Sequence, residues 1–192
     1  NFKQKIDSHK DLPIKQIEEV AIGSLEQRIK EDGLTITEDE KGLAQATLIS
    51  NAQKDILTFV KLYAEEVAPK YQPILVEESQ TIRFSNMFVM ADINSLRYDV
   101  DLVVRLDLID DKKTIIDLKT SSRKKTQVEA DRSFQLTCYT MFYKLKYNNE
   151  FPTKILLEVL VNAKEKPCTQ LLTTRRDEAD MKNLYNVVVS VS

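Results

Sequence analysis

Glycine is scarce in this sequence: Gly23, Gly33 and Gly42 are the only three in 192 residues, and none follows them. A Walker or dinucleotide-binding loop needs glycines between a strand and a helix, so nucleotide chemistry of those kinds is not expected. Histidine occurs once, as His9, which removes Ser-His-Asp machinery and multi-histidine metal centres. The two cysteines, Cys138 and Cys168, cannot by themselves hold an iron–sulfur cluster or a structural zinc, and they make no disulfide framework. Cys138 falls in an apolar helical stretch and reads as a buried thiol. No apolar run approaches the roughly 20 residues of a membrane helix. Strong charge of one sign is also missing. A net charge of -2 argues against a chain that coats nucleic acid nonspecifically, while leaving room for a local basic surface.

What remains is a globular composition, 42% hydrophobic and 30% charged, in a length that suits one domain over residues 1–192. The chain opens Asn1-Phe2-Lys3 with no methionine and no apolar signal core. The expectation is an intracellular, cytoplasmic protein, or a piece of one. The ending Val187-Val188-Val189-Ser190-Val191 is an odd place for a domain to stop and points to truncation.

Ile14, Ile17, Ala21, Leu25 and Ile29 recur at helical spacing after Pro13, with Gly33 as a stop. Thr37 and Glu40 form a capping-box pattern that predicts a second helix, striped by Leu43, Thr47, Ile56, Val60, Tyr63 and Val67 and ended by Pro69. Residues 1–70 are therefore predicted helical. From Pro73 to Phe84 the pattern alternates, Met87 to Ile93 is a further apolar run, and Tyr98 to Ile109 is the clearest strand. There Val100, Leu102, Val104, Leu106 and Leu108 share one face, and Asp99, Asp101, Val103, Arg105 and Asp107 share the other. Asp110-Asp111-Lys112 predicts a turn before a strand over Lys113–Thr120. Thr126 with Glu129 predicts a long helix to about Tyr147, followed by strands at Ile155–Val161 and Thr169–Thr173 and a final helix from Asp177. This order predicts an α/β fold with a mixed sheet: a helical part (1–70), a core (74–161) and a C-terminal strand and helix (169–192).

Chemistry concentrates in Ile115-Ile116-Asp117-Leu118-Lys119-Thr120-Ser121. On a strand, Asp117 and Lys119 leave the same face. Asp101 also lies opposite the apolar parity of its own strand, so a hairpin could bring two carboxylates and an ammonium together. Like charge opposes ionisation of both acids, and a hard cation relieves it. Asp101, Asp117 and a main-chain carbonyl, that of Leu118, make an oxygen-only set suited to magnesium or manganese. The arrangement demands that paired positions sum to an even number, hence an odd hairpin loop or a bulge. Gln135 and Tyr139, one helical turn apart, project together and could bind phosphate or hold a nucleophile. Arg123-Lys124-Lys125 could meet a DNA backbone. Each piece also has a plainer reading: an exposed pair worth under about 1 kcal/mol, a capped core face, a charged loop.

Together these residues resemble the PD-(D/E)XK nuclease superfamily, in particular its RecB-type branch. The matching pieces are Val100-Asp101-Leu102-Val103, Ile116-Asp117-Leu118-Lys119-Thr120-Ser121 and Gln135-Leu136-Thr137-Cys138-Tyr139, within residues 74 to 147. The resemblance implies a restriction-endonuclease-like core with a mixed central sheet flanked by helices. It implies Asp101 and Asp117 as ligands of Mg2+ or Mn2+, Lys119 as the catalytic lysine, and Gln135 with Tyr139 as support. Val76-Glu77 matches a Val-Glu pair of relatives, so Glu77 is a further candidate, with Glu78 adjacent. Where many relatives carry Gly-x-x-x-His, this chain has Gly23-Ser24-Leu25-Glu26-Gln27, which leaves Gln27 as a substitute donor or as a sign of weakened metal binding. The function implied is a metal-dependent deoxyribonuclease, an exonuclease of recombination, repair or phage DNA metabolism. DNA is the implied partner, with no membrane, and with room for a homo-oligomer or a helicase partner. The alternatives are a DNA- or protein-binding module on the same fold, and an unrelated domain in which these charges form a structural network.

Overall fold

The helical spacing from Ile14 to Ile29 gives a helix that ends where a residue without a Cβ becomes available. In the computed structural model α2 spans Ile14–Asp32, and Gly33 at φ 76° returns its N–H to the Ile29 carbonyl. The structure describes residues 1–36, 40–84, 100–163 and 166–190. A short α1, Phe2–Ser8, precedes α2. It is anchored by buried Lys5, whose ammonium donates to Asp11 (2.9 Å) and to the Ala68 carbonyl (2.7 Å). The next helix, α3, starts at Gln45 and runs to Leu62, later than the Thr37–Glu40 pattern predicts. Gly42 adopts φ 91°, which no right-handed helix accommodates. Thr37 itself lies outside the described residues, as does the Met87–Ile93 run.

The five strands are β1 (Pro73–Arg83), β2 (Asp101–Asp110), β3 (Thr114–Ser121), β4 (Lys154–Val161) and β5 (Cys168–Thr174), in the order β1-β2-β3-β4-β5. β1 pairs antiparallel with β2, and β2 with β3. The Thr153 N–H donates to the Lys113 carbonyl and the Asn162 N–H to the Ser121 carbonyl. Both numbers ascend, so β4 runs parallel to β3 and the sheet is mixed. A parallel neighbour requires a crossover, here α4 (Gln127–Asp131) and α5 (Phe134–Lys146). The chain closes with α6, Glu178–Ser190. This is the α/β architecture of the restriction-endonuclease-like fold, a mixed sheet flanked by helices.

The predicted capping box at Thr126 is present: Glu129 N–H donates to the threonine hydroxyl, and the Thr126 N–H donates to the Glu129 carboxylate. The single long helix predicted after it is instead two. Arg132 leaves helical geometry (φ -96°, ψ 7°) and Ser133 caps α5 by accepting from the Leu136 N–H. The Arg176 guanidinium bridges this break, donating to the carbonyls of Ala130 and Ser133, which also accept from the Ser133 and Thr137 N–H groups.

Two compact units emerge, interleaved along the chain. One comprises residues 1–72, 119–124 and 159–170; the other comprises 73–118, 125–158 and 171–192. Within the second, Leu106, Ile109, Ile115, Leu136, Phe142 and Tyr143 are fully buried. The hairpin between β2 and β3 is closed by Asp110, whose carboxylate accepts from the Lys112 and Thr114 N–H groups (3.0 and 2.8 Å), the local bonding that makes aspartate a turn residue. No helix among the described residues is long and apolar enough to cross a membrane.

Candidate active site

The hairpin register decides which acids meet. Leu108 pairs with Ile116 and Ile109 with Ile115, so paired positions sum to an even number, as a shared face requires. Continued one residue, this register sets Asp107 opposite Asp117. The Leu118 N–H donates to Asp107 Oδ2 at 3.2 Å, which fixes that carboxylate at the level of Asp117. Asp101 is not the partner. It stands six residues further along β2, about 20 Å at strand rise, and its Oδ1 accepts from Arg83 Nε at 3.1 Å on an exposed edge. Parity alone left both aspartates eligible; the position of the turn excludes Asp101.

Asp117 is almost wholly buried, 1% exposed. Its carboxylate is hydrogen-bonded to the Tyr139 hydroxyl, while its Oδ1 accepts no hydrogen bond among the described residues. Tyr139 is itself buried and accepts from Gln135 Nε2 at 2.6 Å. Burial, followed by the negative charges of Asp107 and Asp117, pushes the phenol well above the usual tyrosine range. It therefore stays protonated and donates to Asp117. Ser133, by starting α5 where it does, sets Gln135 and Tyr139 one turn apart on the same side.

Glu77 lies at the level of Asp107 on β1, between the pairs Val76–Leu108 and Glu78–Leu106. Its φ of 50° is unusual for a residue with a side chain. Its Oε2 pairs with Arg105 Nη2 at 3.2 Å, on the strand face that also carries Asp107. Glu78 instead bonds Lys146 of α5. Between the two neighbouring acids, Glu77 is the one on the Asp107 side.

Lys119 is half-buried, two residues beyond Asp117 on β3, and Leu118 between them is half-buried as well. Arg123 and Lys124 are exposed, with Arg123 Nη1 donating to the Lys124 carbonyl at 3.1 Å. Lys125 pairs with Glu129 at 3.3 Å. Gln27 is exposed on α2 and donates to Glu31 Oε1 at 2.8 Å. The structure thus groups Asp117, Gln135 and Tyr139 with Asp107, the residue that sequence reasoning passed over. The sequence carried only a coarse signal for it: reflecting position 117 about Asp111, the centre of the Asp110-Asp111-Lys112 turn, gives 105, nearer to Asp107 than to Asp101.

A profile of the PD-(D/E)XK nuclease superfamily matches residues 9–186 of this chain. The chain belongs to that superfamily. The solved structures similar to this PD-(D/E)XK protein include two of low identity. A crystal structure described as a "Putative exonuclease" from Eubacterium rectale aligns over 93% of the chain at 12% identity and a TM-score of 0.49. The chain spans 65% of that protein's length. The crystal structure of SSO0001 aligns over 100% of the chain and 84% of its own, at 15% identity and a TM-score of 0.41. No curated protein matches.

Members of the superfamily generally use divalent metals. Among the described residues no group of three or more His, Cys, Asp and Glu side chains comes together. The donors at hand are the carboxylates of Asp107 and Asp117. Both are hard oxygen donors, and one atom, Asp117 Oδ1, is a buried acceptor that takes no hydrogen bond from the described residues. Such a set fits a cation that retains part of its water shell, as magnesium does.

Proposed function

We propose that this chain is a divalent-metal-dependent deoxyribonuclease of the RecB-type branch, acting as an exonuclease in recombination, repair or phage DNA metabolism. The observation that carries this reading is Asp107 set across from a buried Asp117. Asp107, Asp117 and the Leu118 carbonyl would hold Mg2+ or Mn2+. A bound cation of this kind polarises a phosphate oxygen and lowers the pKa of a coordinated water. The chain's own groups do the rest. The Lys119 ammonium neutralises charge that builds on the phosphate oxygens, which is worth most where water is excluded. Tyr139 holds the Asp117 carboxylate in one orientation, and Gln135 holds Tyr139. Glu77 and Arg105 place an exposed charge pair on the Asp107 side of the sheet. Arg123, Lys124 and Lys125 meet the DNA backbone. Water's oxygen bonds phosphorus as the P–O bond to the departing nucleotide breaks; the water gives up a proton to solvent, and the departing oxygen takes one from solvent.

The test is direct. Purified protein with magnesium or manganese should degrade single- or double-stranded DNA; if both stay whole, the reading falls. A binding-only module is the second reading. It is favoured by Gln27, the nearest match in this chain to the histidine that the resemblance leads one to expect, whose amide donates to Glu31. Calorimetry separates the two, because a binding-only domain takes up no manganese in an Asp117-dependent way.

A further inference from the structure

A cavity of about 260 Å3 opens between the start of β4 and the turn from β5 into α6. Its level is that of the beginning of β3, since the Thr153 N–H bonds the Lys113 carbonyl. Four residues of strand, about 13 Å, separate that level from Asp117, so the cavity is not part of the aspartate cluster. Its walls include Lys154, Arg175 and Arg176 with Thr153 and Phe151, and among the described residues no acidic side chain lines it. For a chain with 30 acidic residues and a net charge of -2, three cations around one small cavity is a marked local excess.

The three cations differ in role. Arg176 is immobile. Its Nε donates to Thr137 Oγ1 at 2.8 Å, and its Nη1 to Thr174 Oγ1 (2.7 Å) and the Arg175 carbonyl (2.8 Å). Nη2 donates to the carbonyls of Ala130 and Ser133 at 3.0 and 3.1 Å. Every guanidinium N–H is thereby used, so Arg176 offers a fixed positive field, partly offset by Asp131 and Asp180. Lys154 and Arg175 are exposed, and neither side chain has an ion pair or hydrogen bond among the described residues. They retain free donors. A further cation nearby is already neutralised, since Lys144 sits over the Phe151 ring and pairs with Glu178.

We propose that this cavity binds a phosphate group, with Lys154 and Arg175 as its ligands. Free donors on flexible stems around a fixed guanidinium suit a tetrahedral oxyanion. The volume lies below the roughly 300 Å3 at which pockets begin to take drug-sized molecules, which fits a small anion. The phosphate comes either from a nucleic-acid backbone or from solution, and the chemistry recognised is the same. This inference stands apart from the proposed catalysis, because it involves none of the same residues.

Calorimetric titration of the full chain, without divalent metal so that nothing is cleaved, tests it with two probes: inorganic phosphate and a short single-stranded oligonucleotide. The comparison is between the wild type, a Lys154→Gln/Arg175→Gln double variant and a Lys154→Arg/Arg175→Lys control. Both positions are exposed, and matching circular dichroism melts will show that the fold is kept. The double variant should lose at least about tenfold in affinity for one or both probes, the scale of one charge-assisted hydrogen bond, and the control should not. Loss for both probes, with a salt dependence shallower by about 1 in log–log slope, identifies a backbone phosphate. Loss for inorganic phosphate alone identifies a free one. If neither probe binds the wild type, or both bind the double variant as tightly, the proposal is overturned.

Discussion

Asp101 and Asp107 share strand β2 and, by alternation, one of its faces, yet their surroundings have little in common. Asp101 is exposed and paired with Arg83 at a sheet edge, where an ion pair is worth under about 1 kcal/mol. Asp107 is half-buried, bonded to the Leu118 N–H and level with Asp117. Two acids of one type on one face therefore divide into a solvated edge pair and a member of a buried cluster. Six residues of register separate those fates. Chemical type proposes a ligand, and distance along the strand disposes of it.

That contrast can be broken most sharply by mutation. Asp107→Asn and Asp117→Asn should each lower DNA hydrolysis at least about a hundredfold, the scale of losing one fixed electrostatic contact in a site. Asp101→Asn should leave steady-state rates within about twofold, as expected for an exposed position. Reversal of the Asp101 and Asp107 effects would move the site to the other end of β2. Next in size is thermal stabilisation by metal. Manganese at about 100 times its dissociation constant should raise the melting temperature of the wild type by roughly 5–10 °C. Differential scanning fluorimetry should find the same rise in Asp101→Asn and none in Asp107→Asn. Tyr139→Phe should cost roughly tenfold in rate, because it removes a hydrogen bond to a carboxylate while leaving the ring in its packing.

The smallest effect contrasts the two cysteines. Burial pushes the Cys138 thiol up to about 11, so it holds its proton in the folded protein at pH values where an unfolded chain releases it. Thiolate-directed reagents at pH 8 should modify half-buried Cys168 and spare Cys138. By the same linkage, the Cys138 contribution to stability is complete below about 9 and is lost as pH rises toward 11. A Cys138→Ala variant should flatten that decline in chemical denaturation; an unchanged slope would show that the thiol is not desolvated in solution.

Much of the fold was legible because its signals are local. Gly33 stops α2, Thr126 and Glu129 cap α4, alternation marks β1 and β2, and the Asp110-Asp111-Lys112 turn announces β3. The break at Arg132–Ser133 was not legible. The residues on either side keep helical spacing, and the break is held by Arg176, more than 40 positions away. In the site, Asp117, Gln135 and Tyr139 could be read from spacing within single elements. Asp107 could not, since choosing it over Asp101 needs the hairpin loop counted to the residue.

By itself the sequence determined the inventory: hard oxygen donors, an amide–phenol pair at helical spacing, a mixed α/β order, and no glycine-rich phosphate loop. It could do so because residue chemistry and periodicity are properties of short stretches. Only the tertiary structure decided which carboxylates face each other, that the buried Tyr139 keeps its proton beside them, and that Lys154, Arg175 and Arg176 gather at one cavity. Those outcomes depend on register and burial, and register and burial are set by contacts between elements far apart in the chain.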